Sequence, residues 1–291
     1  MIDGIITKGI GGFYYVQTKD KTMYECRARG IFRKDKIIPM VGDKVKIGVI
    51  QPLETGVIEE ILKRDTELMR PPVANINQAV IVFAVKKPDP NILLLDRFLV
   101  MAEQEELDIT ICFNKVDIEA EELEDLKKIY VDAGYTVIET STKENIGIDK
   151  FKDILKNKIT VFAGPSGVGK SSLVNAIQPN LKLQTGEISK KNKRGKHTTR
   201  HVELLELDFD GWVLDTPGFS SLNIESIEKE DLQYLFREFI PFIGTCKFKS
   251  CNHVNEPECA IKNAVLENQI NEDRYKSYLL FLKEINESRR Y

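Results

Sequence analysis

The residues best suited to chemistry form a glycine-rich run in the middle of the chain, Gly164-Pro165-Ser166-Gly167-Val168-Gly169-Lys170-Ser171-Ser172. The apolar residues before this run predict a buried strand and those after it predict a helix, which is the setting of a phosphate-binding P-loop. The backbone N–H groups of such a loop and the positive end of the helix dipole attract an anion. We therefore expect the loop to bind phosphates, with Lys170 at the β- and γ-phosphates and Ser171 as a ligand of Mg²⁺.

A second group of residues could recognise a base. Asn114-Lys115-Val116-Asp117 follows a predicted buried strand at 108–113, where the ligand loops of a parallel sheet lie. The Asp117 carboxylate could accept hydrogen bonds from the N1–H and the exocyclic amine of guanine, whereas adenine would leave it unpaired. Asn114 would brace the loop, the stem of Lys115 would cover the base, and the backbone of Ser141-Thr142-Lys143 would cap the base carbonyl. These residues predict selection of a guanine nucleotide and disfavour an ATP-dependent enzyme.

Two segments beyond the P-loop could complete a site for Mg²⁺ and phosphate. Asp215-Thr216-Pro217-Gly218 ends a predicted strand, so Asp215 could hold the metal ion and the Gly218 N–H could contact the γ-phosphate. In the basic loop at 189–200, the pair Thr198-Thr199 could close over the metal ion, and we favour Thr199 as the ligand. Each segment alone could be an ordinary turn or surface loop, but together on one sheet they predict a nucleotide site.

A cysteine-rich segment near the C-terminus predicts a metal centre. Three cysteines and one histidine, a ligand set suited to tetrahedral Zn²⁺, lie close together at Cys246, Cys251, His253 and Cys259. Because protein would fill all four positions, we expect a structural site whose metal ion provides much of the folding energy of this segment. The alternative is a reduced cluster without metal. Cys26 and Cys112 stand apart, and we expect both to be small core residues.

The elements that must position these residues fall into three groups. Short β-rich runs at 2–7, 13–18, 23–28, 43–50 and 56–62 predict a small barrel, with an OB-fold as the leading candidate. After a predicted linker at 70–72, strands and helices alternate in a βαβα pattern, which predicts a mostly parallel, doubly wound sheet. Two strands, at 202–209 and 211–214, follow the P-loop helix. From about residue 222 the chain is predicted to be mainly helical, beginning with a helix at 231–239.

The predicted barrel could bind an oligonucleotide through aromatic and basic side chains on one face, namely Phe13, Tyr14, Tyr15, Arg27, Arg29, Phe32, Arg33 and Lys34. The alternative is that alternate aromatic residues belong to the core and the charges are merely solvated. The sequence leaves both interpretations open.

Composition limits the class of protein. A length of 291 residues favours two or three domains, and 42% hydrophobic with 30% charged residues is typical of a soluble globular protein. No apolar run approaches the length of a membrane span, and the N-terminus lacks a signal-peptide core. Five cysteines without a secretory signal favour a reducing cytoplasm and no disulfides. The net charge of −3 gives no overall attraction to nucleic acid, so such a partner would be met by local patches.

Together the motifs are those of a GTPase in a permuted order, because the base-reading loops precede the P-loop instead of following it. This order, with a barrel before it and a cysteine cluster after it, closely resembles the ribosome-small-subunit-dependent GTPase A family of bacteria over essentially the whole chain. Its most specific residues are the P-loop at 164–172, the cysteine cluster with Asn255-Glu256-Pro257, and the run Lys196-His197-Thr198-Thr199-Arg200-His201-Val202-Glu203-Leu204-Leu205.

The resemblance implies a cytoplasmic GTPase with three domains: an OB-fold β-barrel at 1–68, a circularly permuted α/β P-loop GTPase domain at 69–222, and a mainly helical zinc-binding domain at 223–291. It implies a late maturation or checkpoint role on the small (30S) ribosomal subunit, with hydrolysis stimulated by the subunit and release after GDP forms. The barrel, the basic stretch at 190–200 and the zinc domain would contact 16S rRNA. We expect Mg²⁺ with GTP and one structural Zn²⁺ as cofactors, no membrane partner, and a monomer.

Among these residues, Lys170, Thr199 and His197 are expected to be catalytic. Many GTPases place a water-orienting Gln after the glycine that corresponds to Gly218, whereas this chain has Phe219, so intrinsic hydrolysis should be slow. His197 is our candidate for orienting the attacking water; the alternatives are contact with RNA or a plain loop residue. The rival interpretation of the whole chain is a nucleotide-gated RNA-binding module whose hydrolysis is incidental.

Overall fold

The computed structural model describes residues 1–30, 32, 37–50, 53–69, 72–118, 121, 123–181, 202–214 and 223–289. The chain divides into two compact units, each assembled from separate stretches. The first unit comprises Met1–Ala79, Asp149–Ala163 and Ser171–Ser220, and the second comprises Val80–Ile148, Gly164–Lys170 and Ser221–Tyr291. Among the described residues, no helix combines the length and the apolar character needed to cross a bilayer.

Five strands close into a barrel at the N-terminus of the first unit. They are β1 (Ile2–Ile10), β2 (Phe13–Thr18), β3 (Met23–Ala28), β4 (Lys44–Ile50) and β5 (Thr55–Ile61). Their order around the barrel is β1-β2-β3-β5-β4, with β4 paired to β1 and β3 parallel to β5. This closed five-stranded barrel confirms the predicted OB-fold.

Alternation of apolar side chains explains why these strands enclose a core. The buried core residues are Ile6, Val16, Cys26, Phe32, Val45, Ile47 and Ile58. Because a closed barrel pairs both edges of every strand, it leaves no edge open for pairing with another chain. Burial raises the pKa of the Cys26 thiol to about 11, as expected for an inert core cysteine.

Some residues of the predicted oligonucleotide face lie at the surface of the barrel, and others belong to its core. Phe32 lies in the core and Tyr14 packs against it, so these two aromatic residues fit the core alternative. Phe13 remains half-buried under the exposed Arg27, whose guanidinium carbon lies 4.7 Å from the centre of the ring. Arg29 is also exposed and pairs with Glu59. Arg33 and Lys34 lie outside the described residues.

The remaining elements confirm the alternation of strands and helices, with small differences in bounds. They are β6 (Glu67–Met69), β7 (Pro72–Ala74), β8 (Gln78–Ala84), α1 (Ile92–Gln104), β9 (Asp108–Asn114), α2 (Leu123–Asp132), β10 (Thr136–Thr140), α3 (Ile148–Leu155), β11 (Ile159–Ala163), α4 (Lys170–Ile177), β12 (Leu204–Leu207) and β13 (Gly211–Leu214). A short 3₁₀ helix, Pro179–Leu181, follows α4. The predicted linker at 70–72 is partly wrong, because Pro72 pairs with Met69 and begins β7. Proline is tolerated at the first position of a strand, where its missing N–H costs little.

The α/β strands are largely parallel, as predicted. In the second unit the strand order is β10-β9-β8, and β9 and β10 run parallel. In the first unit the order is β11-β13-β12, with β11 parallel to β13, while β12 and β13 form an antiparallel hairpin. Every residue of β8 and β11 is buried, as expected for strands covered on both faces.

The C-terminal segment is less regular than predicted. The predicted helix at 231–239 is wrong: two 3₁₀ helices, Leu232–Leu235 and Arg237–Phe242, are separated by the extended residue Phe236. Phe236 is fully buried in the apolar core, and Pro241 further along cannot donate the N–H that a continuing α-helix requires. Two α-helices follow, α5 (Ala260–Leu266) and α6 (Glu272–Ser288), and the Asn271 side chain caps α6.

This C-terminal segment shares a core with α1 inside the second unit. Val100 of α1 is buried in one cluster with Phe236, Tyr278 and Phe281. Beside this cluster, the buried Arg274 guanidinium donates to Asp96 of α1 at 2.6 Å and to Glu238 at 2.6 Å. Removing one member of such a buried group leaves an uncompensated charge, which is costly.

We expect Arg274→Met to weaken the attachment of α6, because Asp96 and Glu238 would remain buried without a cation. The loss should be about 3–5 kcal/mol. Hydrogen exchange of α6 amides measures it as local opening, without requiring the whole chain to unfold in one step. Lys276→Met is the matched control, because Lys276 lies on the same helix with its charge in solvent. Equal exchange in both variants would contradict the prediction.

Candidate nucleotide site and metal centre

The P-loop conformation depends on glycine at two positions. Gly164 and Gly169 have φ values of 131° and 101°, in the left-handed region that favours glycine. A Cβ on Gly164 would overlap the carbonyl oxygen of Val82, and one on Gly169 would overlap the side-chain amide of Asn114. The two glycines therefore allow the loop to pack directly against β8 and the end of β9.

Lys170 folds back into its own loop. Its Nζ donates to the carbonyl oxygens of Gly164 at 2.8 Å and Pro165 at 2.7 Å. Burial lowers the pKa of this amine to about 8. Phosphate oxygens can replace the two carbonyls as acceptors and add the negative charge that favours the ammonium form. Ser171 and Ser172 follow at the start of α4, half-buried, where a P-loop places its metal-binding hydroxyl.

Asn114 joins the base-reading loop to the P-loop. Its side-chain Nδ2 donates to the carbonyl oxygen of Val168 at 2.8 Å, and its Oδ1 accepts from the Thr140 hydroxyl at 3.0 Å. Lys115 adds a second link, because its Nζ donates to the carbonyl oxygen of Gly167 at 2.7 Å and also to that of Lys87. The predicted bracing role of Asn114 thus has a direct geometric basis.

Asp117 is held ready as a hydrogen-bond acceptor. Its carboxylate accepts from the Ser141 hydroxyl at 2.6 Å, and the Lys143 ammonium lies 3.7 Å away. The Ser141 hydrogen bond lowers the pKa of Asp117, so its carboxylate is ionised at neutral pH. Ser141 is itself fixed by the backbone N–H of Glu144 at 3.1 Å. An oriented carboxylate of this kind can accept from both N–H groups of a guanine edge.

Thr140 is a site residue that the sequence analysis missed. Its hydroxyl orients Asn114, and in the parallel pairing of β9 with β10 the two residues stand opposite each other. The sequence signal that could have indicated Thr140 was a polar residue at the end of a predicted strand. The strand register that brings it to Asn114 is set by tertiary pairing.

The four predicted metal ligands lie together and could hold a metal ion. The ligand atoms of Cys246, Cys251, His253 and Cys259 all lie within 4.8 Å of one another. The Cys246 and Cys259 sulfurs are 4.0 Å apart, and His253 Nδ1 lies 3.3 Å from Cys259 Sγ. Tetrahedral Zn²⁺ with bonds of about 2.3 Å to sulfur requires ligand separations of roughly 3.8 Å, so the donor set fits.

Protons and a metal ion would compete for the sulfurs of the cluster. Burial raises the pKa of the Cys251 thiol to about 12, so without a metal ion this thiol is protonated at neutral pH, and a bound metal ion would displace that proton. The backbone N–H of Ala260 donates to Cys246 Sγ at 3.3 Å. This hydrogen bond would stabilise negative charge on that sulfur. Cys112, in contrast, is a buried core residue as predicted.

The other predicted site residues, His197, Thr199, Asp215 and Gly218, lie outside the described residues, as do Thr198 and Phe219. Their roles stay predictions. Within the described part of the chain, the P-loop, Asn114-Lys115-Val116-Asp117 and Ser141-Thr142-Lys143 meet at one place in the second unit. Base-reading loops that precede a P-loop in sequence, yet join it in space, define the class of circularly permuted P-loop GTPases.

Comparisons with known proteins agree with this class. The family model described as RsgA GTPase matches residues 61–225, and the RsgA N-terminal domain model matches residues 3–58. The small ribosomal subunit biogenesis GTPase RsgA of Alkaliphilus metalliredigens is 51% identical over 100% of both chains. That of Caldanaerobacter subterraneus is 54% identical, covering 100% of this chain and 98% of the relative. The chain belongs to the RsgA GTPase family.

Solved structures show the same architecture. The structure of YloQ, described as a circularly permuted GTPase, has a TM-score of 0.84 at 40% identity and covers 99% of this chain and 96% of its own. The structure of YjeQ from Thermotoga maritima has a TM-score of 0.85 at 39% identity and covers 98% of each chain.

We expect Asp117→Asn to exchange nucleotide preference from GTP toward XTP. The Asn amide can donate to the xanthine carbonyl that replaces the guanine amine, whereas guanine would meet an unpaired donor. GTP affinity should fall by roughly 10- to 100-fold, the cost of leaving buried polar groups unpaired. Titration with fluorescent GDP and XDP measures the change, with Asp125→Asn on the exposed face of α2 as a control. Unchanged GTP preference would rule out Asp117 as the base reader.

The Lys170 pKa predicts a pH dependence of nucleotide binding. Without nucleotide, the pKa of the Lys170 amine is about 8. Bound phosphates should raise this pKa, so nucleotide binding takes up a proton above pH 8. Nucleotide affinity should therefore be constant well below pH 8, and at pH 9 it should be roughly tenfold weaker than this constant value. Calorimetry in buffers of different ionisation enthalpy measures the proton uptake directly. An absence of uptake at pH 9 would contradict the lowered pKa.

Proposed function

We propose that this chain hydrolyses GTP on the small (30S) ribosomal subunit, late in the assembly of that subunit. The observation that carries the proposal is the hydrogen bond from Asn114, in the Asn-Lys-x-Asp loop, to Val168 of the P-loop, in a chain that matches the curated relative over its full length. Those relatives are named small ribosomal subunit biogenesis GTPases. The barrel, the permuted GTPase fold and the Cys₃His cluster all occur in this chain.

In the proposed reaction, water attacks the γ-phosphorus of GTP, the bond to the β–γ bridging oxygen breaks, and GDP and inorganic phosphate form. Lys170 holds the β- and γ-phosphates, and the Gly218 N–H contacts the γ-phosphate. Ser171, Thr199 and Asp215 would hold Mg²⁺. When bound, this ion offsets the negative charge that builds on the phosphate oxygens.

His197 is proposed to orient the attacking water by accepting a hydrogen bond from it. The side chain of Phe219 offers no acceptor for this purpose. Without a water-orienting Gln at this position, intrinsic hydrolysis should therefore be slow and depend on a partner or on another residue such as His197. This dependence supports stimulation by the subunit, which would act as that partner.

The Cys₃His cluster is proposed to hold one structural Zn²⁺. Four protein side chains complete a tetrahedral set and leave no open position for a substrate. Zinc would then hold the loop between Cys246 and Cys259 against the C-terminal core.

Contacts with 16S rRNA are proposed to come from three regions. On the barrel, the exposed Arg27 stacked on Phe13 offers both charge and a ring face to a nucleotide. The basic stretch at 190–200 and the zinc-bearing segment would add further contacts. Because phosphate contacts release counterions, affinity for the subunit should fall steeply with salt.

We propose that the protein acts as a monomer in the cytoplasm, with domain boundaries near residues 68 and 222. The GTPase family model ends at residue 225, close to the second boundary, whereas the two models meet between residues 58 and 61, before the first. The second candidate function is a nucleotide-gated RNA-binding module whose hydrolysis is incidental, which Phe219 at the water-orienting position favours.

GTP turnover measured with and without purified 30S subunits tests the proposal. We expect subunits to raise turnover by roughly an order of magnitude or more, because the intrinsic site lacks a water-orienting Gln. Lys170→Ala serves as the control for contaminating GTPases. Large (50S) subunits at the same concentration test specificity. Binding to 30S subunits without stimulation would favour the RNA-binding module instead.

A further inference from the structure

Both nitrogens of the buried His253 ring have defined partners. Nδ1 faces the metal-ligand cluster, 3.6 Å from Cys246 Sγ and 3.3 Å from Cys259 Sγ. Nε2, on the opposite side of the ring, lies 2.9 Å from Oε1 of Gln233. His253 is 2% exposed, so solvent does not compete for these contacts.

The orientation of the Gln233 amide is fixed independently of the histidine. Its Nε2 donates to the backbone carbonyl of Glu230 at 2.8 Å. A carbonyl can only accept, so the amide nitrogen must point toward Glu230 and the amide oxygen toward His253. Gln233 therefore presents an acceptor to the ring, and the His253 nitrogen that faces it must carry the proton.

This arrangement selects one of the two neutral tautomers of His253. With the proton on Nε2, the lone pair of Nδ1 points into the cluster of cysteine sulfurs, where a metal ion would bind. We propose that Gln233 is the outer-shell positioning residue of the metal centre, holding His253 in the tautomer and ring orientation that ligate the metal ion. The proposal rests on the Zn²⁺ assignment made above. Outer-shell partners of this kind typically change metal affinity by about 10- to 100-fold.

Other neighbouring groups contact the backbone of His253 and surround its ring, but not its Nε2 atom. The Tyr275 hydroxyl donates to the His253 backbone oxygen at 2.6 Å, and the rings of Phe239 and Tyr278 lie 6.4 and 6.2 Å from the imidazole. These contacts fix the backbone and the surroundings of the ring. The Gln233 contact reaches the nitrogen that decides the tautomer.

Gln233 also connects the metal centre to the core of the second unit. It belongs to the 3₁₀ helix Leu232–Leu235, and Leu232 is fully buried in the cluster that includes Val100 of α1. A shift of the histidine on loss of metal would therefore disturb a turn anchored in that core. This link gives the metal centre a route to stabilise residues far from its own loop.

The test compares zinc-loaded full-length wild type with Gln233→Met and Gln233→Glu. The methionine has a similar length but lacks the amide acceptor, whereas the glutamate keeps an acceptor for the Nε2 proton. We expect Gln233→Met to transfer zinc to a chromogenic chelator about 10- to 100-fold faster than wild type, and Gln233→Glu to retain zinc at least as well as wild type. Gln269→Met, at an exposed site outside the cluster, should match wild type.

Long-range ¹H–¹⁵N NMR of the zinc-loaded protein reads the tautomer directly. Wild type should show His253 protonated at Nε2 and metal-bound at Nδ1. Circular dichroism and GDP affinity of each variant confirm that it remains folded. Two results would overturn the role of Gln233 and leave the metal centre itself in place. One is equal rates of zinc release from wild type and Gln233→Met. The other is zinc release from Gln233→Glu as fast as from Gln233→Met. A wild-type chain that takes up no zinc would overturn the metal centre together with this proposal, while GTP turnover on 30S subunits tests the main function separately.

Discussion

The nucleotide site depends on one side-chain amide, that of Asn114. It donates to the P-loop at Val168 and accepts from Thr140, so three loops from distant parts of the sequence share one anchor. The amide is buried, and in that setting an unmade hydrogen bond is expensive. Asn114 therefore fixes the distance between the loop predicted to read the base and the P-loop. Permutation of the chain leaves this geometric requirement unchanged.

The same compact unit contains the loops predicted to read guanine and the Cys₃His cluster that could hold a metal ion. Arg274 contacts both Asp96 on α1 and Glu238 in the C-terminal segment, and the aromatic core around Phe236 includes Val100 of α1. The C-terminal segment is thus built onto a helix of the GTPase fold. Its short 3₁₀ helices and the loop between Cys246 and Cys259 have little regular structure of their own, so buried charge pairing and the aromatic core replace the regular hydrogen bonding of longer helices.

Local patterns in the sequence were sufficient to predict most of the candidate site. The P-loop, Asp117 and the four candidate metal ligands were predicted from residue type and spacing, because each motif is short and contiguous, and the structure brings the four candidate ligands together. The barrel was recognised for a similar reason, since the residues of its strands alternate between core and surface. The helix expected at 231–239 was wrong because burial of Phe236 overrode local helical propensity. Thr140 and Gln233 were missed because each acts on a partner distant in sequence.

The sequence alone therefore determined the GTPase class, the permuted order of the motifs and the set of four residues that could hold a metal ion, since these depend on chemistry carried by neighbouring residues. Tertiary structure decided which groups orient them. Strand register places Thr140 opposite Asn114, and packing of a 3₁₀ helix brings Gln233 to His253. Tertiary packing also decided that Phe32 belongs to the barrel core and that Arg274 is buried beside two carboxylates. Such contacts join residues that are separated along the chain, so their geometry exists only after the chain has folded.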